Sequence, residues 1–425
     1  MCGIVGFTGK RNAAPILLDG LSRLEYRGYD SAGIAVLYGG KFSVSKTTGR
    51  VKTISEKTDG GNAVLGRTGI GHTRWATHGA PSDTNAHPHL SSDGKIAIVH
   101  NGIIENYIPL RQELEAKGVK FKSETDTEIV SQLIAVYYKE QHDFPGAVRA
   151  AVSRLRGTYA FGILCSDCPD MLIAVRRSSP LIIGVGKGEN FIASDVTALV
   201  SYTRKVIYLE EGDMAVITPS KVNVYSENGE PQERPVTRIT WDIEVAEKGG
   251  YEHFMMKEMM EQPKAAELTI MSRIKNGDIV FDETDLTKER LAGFDRIVIT
   301  ACGSASYAGQ AARYMIEKLL RIPVEVDLAS ELRYRDPVVN EKTLLIVISQ
   351  SGETADTIAA MKECKKRGAY VLSIVNVVGS TIAKLSDDVL YTRAGPEIAV
   401  ATTKGYTTQP VSYTHLRAHE TSLHL

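Results

Sequence analysis

The chain has 425 residues, 43% of them apolar and 24% charged, a balance that supplies packed cores and excludes an intrinsically disordered polypeptide. At roughly 100–200 residues per domain, that length predicts more than one domain. Fifty Lys and Arg against 51 Asp and Glu leave a formal net charge of −1, which gives no global attraction for nucleic acid or an anionic membrane.

Residues 2–240 read as a first domain of short apolar runs punctuated by glycine: CGIVGFTG, AGIAVLYGGKFSVSKT, KIAIVHNG, TYAFGILCSD, MLIAVRRSSPLIIGVG and DMAVITPSKVNVYS. Runs of this length bounded by turn residues predict strands. Helical spacing is expected in only a few places, notably residues 103–117 and 126–141, so the region reads as α+β with strands in the majority. Residues 241–294 change to a charged, methionine-rich helical linker, with a new helix expected to start at Pro263. From residue 295 to 409 strands alternate with helices at 307–320 and 354–367, the pattern of a doubly wound parallel sheet covered on both faces. Pro410 is expected to stop the next helix. Residues 411–421 resemble a translated adapter of the kind used in sequencing libraries, so 410–425 is expected to be a non-native tail and the natural protein to continue past Gln409.

Five cysteines, an odd number, are too few for a disulfide scaffold and point to a reducing cytoplasm. Nothing at MCGIVGFTGK reads as a secretory signal, and no apolar run approaches the ~18–20 residues of a membrane span. Cys2 is the most suggestive single residue. Once the initiator methionine is removed it owns both a thiol and a free α-amine, and an amine of pKa ~7.7–8.0 is an adequate base near neutral pH. The competing reading is a small buried residue in a strand. A thiol attacking an amide needs donors for the developing oxyanion, and Asn101-Gly102, following the strand KIAIVH, supplies a side-chain amide and a backbone N–H. An Asn-Gly hairpin turn is the alternative there. Arg74 carries a guanidinium suited to a carboxylate, and Asp126, at a helix start, can pair with an ammonium.

The segments MCGIVGF, LEYRGYDSAGIA, GIGHTRWATHGAPSDTNAHPH, IVHNGIIENY, ETDTE and RLRGTYAF, in this order, closely resemble the glutaminase domain of the class II glutamine amidotransferases, which are N-terminal nucleophile (Ntn) enzymes. The resemblance implies a four-layer α/β/β/α fold. It makes Cys2 the nucleophile, and Asn101 and Gly102 the oxyanion hole. Arg74 then holds the glutamine α-carboxylate, Asp126 receives its α-amino group, Thr77 and His78 lie in a loop closing over glutamine, and Trp75 gates ammonia passage.

In the second half, TACGSASYAG and VISQSGETADT each lead a strand through small and hydroxyl residues into a helix, an uncharged phosphate cradle. N-capping alone explains poorly why Ser349, Gln350, Ser351, Thr354 and Thr357 fall so close together. These strings resemble the sugar isomerase (SIS) domain, an α/β/α sheet fold. Glutaminase, linker and SIS domain followed by GPEIAVATTKGYTTQ resemble the class II amidotransferases that aminate fructose 6-phosphate to glucosamine 6-phosphate. That resemblance implies that Ser304, Ser349, Gln350, Ser351, Thr354, Val400 and Thr402 contact the sugar phosphate, that ammonia travels internally, and that the protein is a homodimer. It also implies that the groups for isomerisation lie beyond these 425 residues, so this chain is expected to hydrolyse glutamine without making the amino sugar. Ala305 stands where a serine is usual, which puts one sugar contact in question.

Another class II amidotransferase, or a non-catalytic SIS sugar-phosphate sensor, is the competing function. A phosphoribosyl-pyrophosphate loop and an SGGxDS-like pyrophosphatase loop are both missing. Cys165-x-x-Cys168 has no second ligand pair. His72, His78, His87 and His89 suit loop packing as well as zinc, and residues 184–188 read as a turn. The chemistry requires no metal or organic cofactor.

Overall fold

A computed structural model describes all residues except 1, 26, 27, 77, 240–248, 277, 281–283, 285–287 and 422–425. It divides into two compact units, Met1–Ile243 and Glu244–Leu425.

The first unit stacks an eight-stranded on a seven-stranded sheet, each antiparallel along its ladders. Strand alternation sorts side chains into three apolar cores. In Ile96–Ile104, Ile96, Ile98 and Ile104 face a helical core while Ala97 and Val99 face the other sheet. In Gly3–Thr8, Val5 and Phe7 pack against the helix Ala13–Leu24 and Ile4 packs between the sheets. A core between helix and sheet, one between sheets and one between sheet and helices make the four layers α/β/β/α. The sheets approach closely over glycine: a Cβ on Gly6 would stand 3.2 Å from Leu172 Cδ2 of the other sheet, and one on Gly162 2.8 Å from Ile192 Cδ1.

Three helices of this unit, Ala13–Leu24, Val51–Lys57 and Phe144–Val152, are not among those read from the sequence. The expected helix 103–117 is also shorter. Its first residues pair in the sheet as far as Ile104↔Gly157, and the helix spans Tyr107–Ala116. Asp126–Gln141 is helical as expected, with Thr125 as N-cap accepting from the Glu128 N–H at 3.4 Å.

The second unit holds a parallel sheet in the order Val324–Leu328, Arg296–Ala301, Thr343–Ser349, Tyr370–Val375, Asp388–Tyr391. Both faces are covered. Ile297, Ile299, Leu344, Ile346 and Ile348 pack with Ala308, Ala312 and Ile316 of the helix Ser304–Leu320. Val298, Leu345 and Val347 pack with Ile358, Met361 and Cys364 of Ala355–Lys366.

Neither proline breaks a helix as the sequence reading expects. Phe254–Met271 runs through Pro263, and the Gln262 side-chain amide donates at 3.2 Å to the Met259 carbonyl that Pro263 leaves without its N–H. Lys404–Thr421 runs through Pro410. Its Thr408, Gln409 and Ser412 are buried, Lys404 pairs with Glu261 at 2.6 Å, and the Thr407 hydroxyl donates to Gln262 at 2.6 Å. This tertiary burial offsets the proline penalty.

Candidate active site

The strand Gly3–Thr8 lies between Thr68–Arg74 and Asn190–Ala193, with Gly3 paired to Thr73. One residue further out, that register sets Cys2 beside the Arg74–Trp75 backbone. The Trp75 N–H donates to Cys2 Sγ at 3.2 Å, and the thiol donates to the Trp75 carbonyl at 3.5 Å. Burial pushes the Cys2 thiol up, against the lowering effect of the Trp75 N–H, so the resting group is S–H rather than thiolate. Asn101 Nδ2 donates to the Cys2 carbonyl at 3.0 Å. Gly102 has φ +132°, and a Cβ there would fall 2.0 Å from the Thr158 carbonyl oxygen, so only glycine fits.

Arg74 is 3% exposed. Its Nη2 donates to the carbonyls of His78 and, at 2.9 Å, Gly79, while Nη1 is buried without a hydrogen-bond partner among the described residues. Asp126 accepts the Ile104 N–H at 2.8 Å, which ties the helix start to the strand that carries Asn101 and Gly102. Cys2 and Asn101 thus meet directly, Arg74 is tied to Cys2 through the main chain of the next residue, and Asp126 is tied to the Asn101–Gly102 strand through the Ile104 N–H. His78 packs edge-on to Tyr107 at 5.4 Å, and Trp75, 44% exposed, edge-on to Tyr29 at 5.4 Å. Thr77 lies outside the described residues. The sequence reading missed Asp30, whose carboxylate accepts the Ala76 N–H and raises the Cys2 pKa further. The segment GYDSAG that carries it lies close on the nucleophile's neighbours: a Cβ on Gly28 would meet the Arg74 carbonyl carbon at 2.7 Å.

The histidines group differently from the sequence clustering. His72, His87, His89 and His100 are buried together, with ring centroids 4.3 Å apart for His72–His87 and 4.7 Å for His87–His89. His87 Nε2 and His100 Nδ1 each lie 2.8 Å from Thr127 Oγ1, and His89 Nε2 lies 3.1 Å from Thr125 Oγ1. No group of three or more His, Cys, Asp or Glu among the described residues is placed to hold a metal ion. Burial lowers the pKa of all four, that of His72 to about 3. They are neutral when folded but take up protons below ~6.5 when unfolded, so stability falls with pH beneath that value, by up to ~1.4 kcal/mol per pH unit for each. Calorimetry should therefore show the first unit melting progressively lower from about pH 6.5 to about pH 5; an unchanged melting temperature would contradict the burial.

Cys165 and Cys168 close a turn, the Cys168 N–H donating to the Cys165 carbonyl at 3.0 Å, and burial raises both thiols, Cys165 to about 11. That environment suits packing, not redox turnover. Residues 184–188 close a hairpin through the Gly186 N–H and the Glu189 carbonyl.

In the second unit the sheet order reverses between Arg296–Ala301 and Thr343–Ser349, the switch point where open α/β sheets bind ligands. Both hydroxyl-rich loops sit there. Gly303, at φ +58°, turns the chain into the helix that begins with an exposed Ser304. Ser349 Oγ accepts the Gly352 N–H at 3.0 Å and lies 3.0 Å from Thr354 Oγ1, and Ser351 Oγ accepts the Glu353 N–H at 3.2 Å. A Cβ on Gly405 would stand 2.9 Å from Gln350 Cγ and 3.0 Å from Thr402 Oγ1, so the Thr402 loop passes beside Gln350. Thr402 donates its hydroxyl to Glu397 at 2.7 Å, and Val400 is 72% exposed. Ala305 packs against the core of the second unit.

A glutamine amidotransferase domain model matches residues 72–201, and a SIS domain model residues 290–417. The chain is 54% identical over 413 residues to the glutamine–fructose-6-phosphate aminotransferase (isomerizing) of Caldanaerobacter subterraneus subsp. tengcongensis, covering 97% of this chain and 67% of that one. Similarity to the proteins of that name from Clostridium acetobutylicum, 54% over 97% and 67%, and Symbiobacterium thermophilum, 54% over 98% and 68%, is equally broad. The chain belongs to the glutamine–fructose-6-phosphate aminotransferase family. It spans about two thirds of the length of these relatives. Arg74, Asn101, Gly102 and Asp126 fall within the amidotransferase match, and the two hydroxyl-rich loops within the SIS match.

Proposed function

We propose that this chain carries the glutamine-hydrolysing half and a fructose 6-phosphate crevice of a glutamine-dependent amidotransferase, and that it hydrolyses glutamine with Cys2 as nucleophile. The observation that carries the reading is the Cys2 thiol held at the sheet end by the Trp75 main chain, with the Asn101 amide on the Cys2 carbonyl and a buried Arg74 whose Nη1 has no hydrogen-bond partner among the described residues. Because burial keeps the thiol protonated, attack requires a base, and the α-amine of Cys2, exposed when Met1 is removed, takes the proton. Sulfur bonds to the side-chain carbonyl carbon of glutamine, and Asn101 Nδ2–H and the Gly102 N–H stabilise the oxyanion. The C–N bond breaks, the ammonium returns its proton to the leaving nitrogen as ammonia, and water hydrolyses the thioester to glutamate. Arg74 binds the substrate α-carboxylate and Asp126 its ammonium. The loop that carries His78 closes over it, and Trp75 gates the ammonia.

Fructose 6-phosphate is assigned to the switch-point crevice, with Ser304, Ser349, Gln350, Ser351 and Thr354 around the phosphate and sugar and Thr402 and Val400 at its rim. Two helix N-termini and neutral hydroxyls favour a phosphate there. The homodimer reading is supported by Met255, Met256, Met259 and Met260, all more than 40% exposed on one helix. Five free cysteines support a cytoplasmic setting, and no described helix is long and apolar enough to cross a membrane.

Glutamine labelled with 15N in its side-chain amide tests the donor half. Labelled ammonia and glutamate should form in equal amounts. Glutamine recovered intact after prolonged incubation with folded protein would refute the reading.

A further inference from the structure

His72 is fully buried, yet its Nε2 has two neighbours: the His100 carbonyl oxygen at 2.9 Å and Asn101 Oδ1 at 3.0 Å. A backbone carbonyl only accepts, so Nε2 must carry the hydrogen. The ring is neutral because burial depresses its pKa, and Nδ1, buried without a hydrogen-bond partner among the described residues, is the unprotonated nitrogen. One N–H thus serves both oxygens. That fixes the Asn101 amide: the atom facing an N–H must be Oδ1, which turns Nδ2 toward Cys2, where it donates to the Cys2 carbonyl at 3.0 Å. The reversed amide would set N–H against N–H and carbonyl against carbonyl.

The rest of the cluster holds the ring in place. A Cβ on Gly33, the sheet neighbour of His72, would fall 2.1 Å from the His87 carbonyl oxygen. Glycine there lets the His87 segment lie on the sheet with its ring 4.3 Å from that of His72. His87 is held in turn by Thr127 Oγ1, which also meets His100 Nδ1. The titratable and charged groups around His72 are therefore His87 and His100, with His89 and Arg74 further out, and burial keeps these histidines neutral as well.

We propose that His72 is a positioning residue for the oxyanion hole: its Nε2–H, set by the His100 carbonyl, holds the Asn101 amide with its donor edge toward the nucleophile. This rests on Asn101 stabilising the oxyanion, as proposed above. His72 touches no reacting atom and acts only through Asn101.

The test is a double-mutant cycle on glutamine hydrolysis. His72→Phe removes the donor and keeps a ring. It should lower kcat about 10- to 100-fold, less than the loss of a whole oxyanion donor, with KM for glutamine within about threefold. In an Asn101→Ala background the same change should alter kcat by less than about twofold. His72→Gln, which can place an N–H near the position of Nε2, should recover most of the lost kcat. An equal loss in both backgrounds, or an unchanged kcat in His72→Phe, would overturn the proposal. Two-bond 1H–15N spectra of histidine-labelled, unsubstituted protein apply even if the variants fail to fold. His72 should be the neutral Nε2–H tautomer from about pH 5 to about pH 8; an Nδ1–H tautomer or a titration in that range would overturn the proposal. Failure of the underlying reading looks different, because then Asn101→Ala itself would leave kcat intact.

Discussion

Cys2→Ala should abolish glutamine hydrolysis, lowering kcat by roughly 10⁴-fold or more, the scale on which removal of a covalent nucleophile acts. The loss should be confined to chemistry. The side chain is partly buried at a strand end, and among the described residues its sulfur hydrogen-bonds only to the Trp75 main chain, so the sheet register on either side does not depend on it. Glutamine should still bind, since the guanidinium and carboxylate assigned to it stand on other strands and helices. Cys2→Ser should remain strongly impaired, because a hydroxyl is a far weaker nucleophile than a thiol and the same α-amine must take its proton. Steady-state glutamate release, with binding measured separately by calorimetry, checks this. Turnover in Cys2→Ala above about 1% of the parent would remove the covalent mechanism.

The second large effect is on glutamine affinity. Arg74→Lys should raise KM for glutamine about 10- to 100-fold with a smaller change in kcat, because a charged hydrogen bond is worth about 1.5–3 kcal/mol. The reason lies in how the guanidinium is divided. Nη2 is committed to the carbonyls of His78 and Gly79, which leaves Nη1 as the buried nitrogen without a partner among the described residues. A planar fork can hold the loop and a carboxylate at once, whereas a lysine ammonium is a single point. Kinetics over a range of glutamine concentrations, with thermal melting to confirm the fold, decides it. An unchanged KM would move the carboxylate site elsewhere.

Much of this arrangement is legible in the sequence, and the gaps have physical causes. The first strand, the helix at Asp126 and the alternating second half follow from local periodicity. The helix Ala13–Leu24 has the right apolar spacing, but Pro15 and Gly20 resemble turn signals, and only packing onto Val5 and Phe7 settles the matter. Residues 103 and 104 carry helical spacing yet are held in the sheet by pairing with Thr158 and Gly157, partners more than fifty residues away. Pro263 survives inside a helix because Gln262 serves the orphaned carbonyl, a remedy that lies in one side-chain rotamer. The candidate site residues are chosen by type, while their orientation is not legible in the sequence. Nothing in HTRWATHG says that the Trp75 main chain holds the thiol, and nothing in the spacing of the histidines says that His100 joins His72, His87 and His89. Those facts are fixed by sheet register and burial.

The most direct test is the mass of the amino-terminal peptide from active protein, before and after stoichiometric inactivation with an electrophilic glutamine analogue. The account predicts a peptide that begins at Cys2, with the analogue on its sulfur and the loss of activity matching the fraction labelled. Full turnover from chains that still carry Met1, or a label on any other residue, would contradict it.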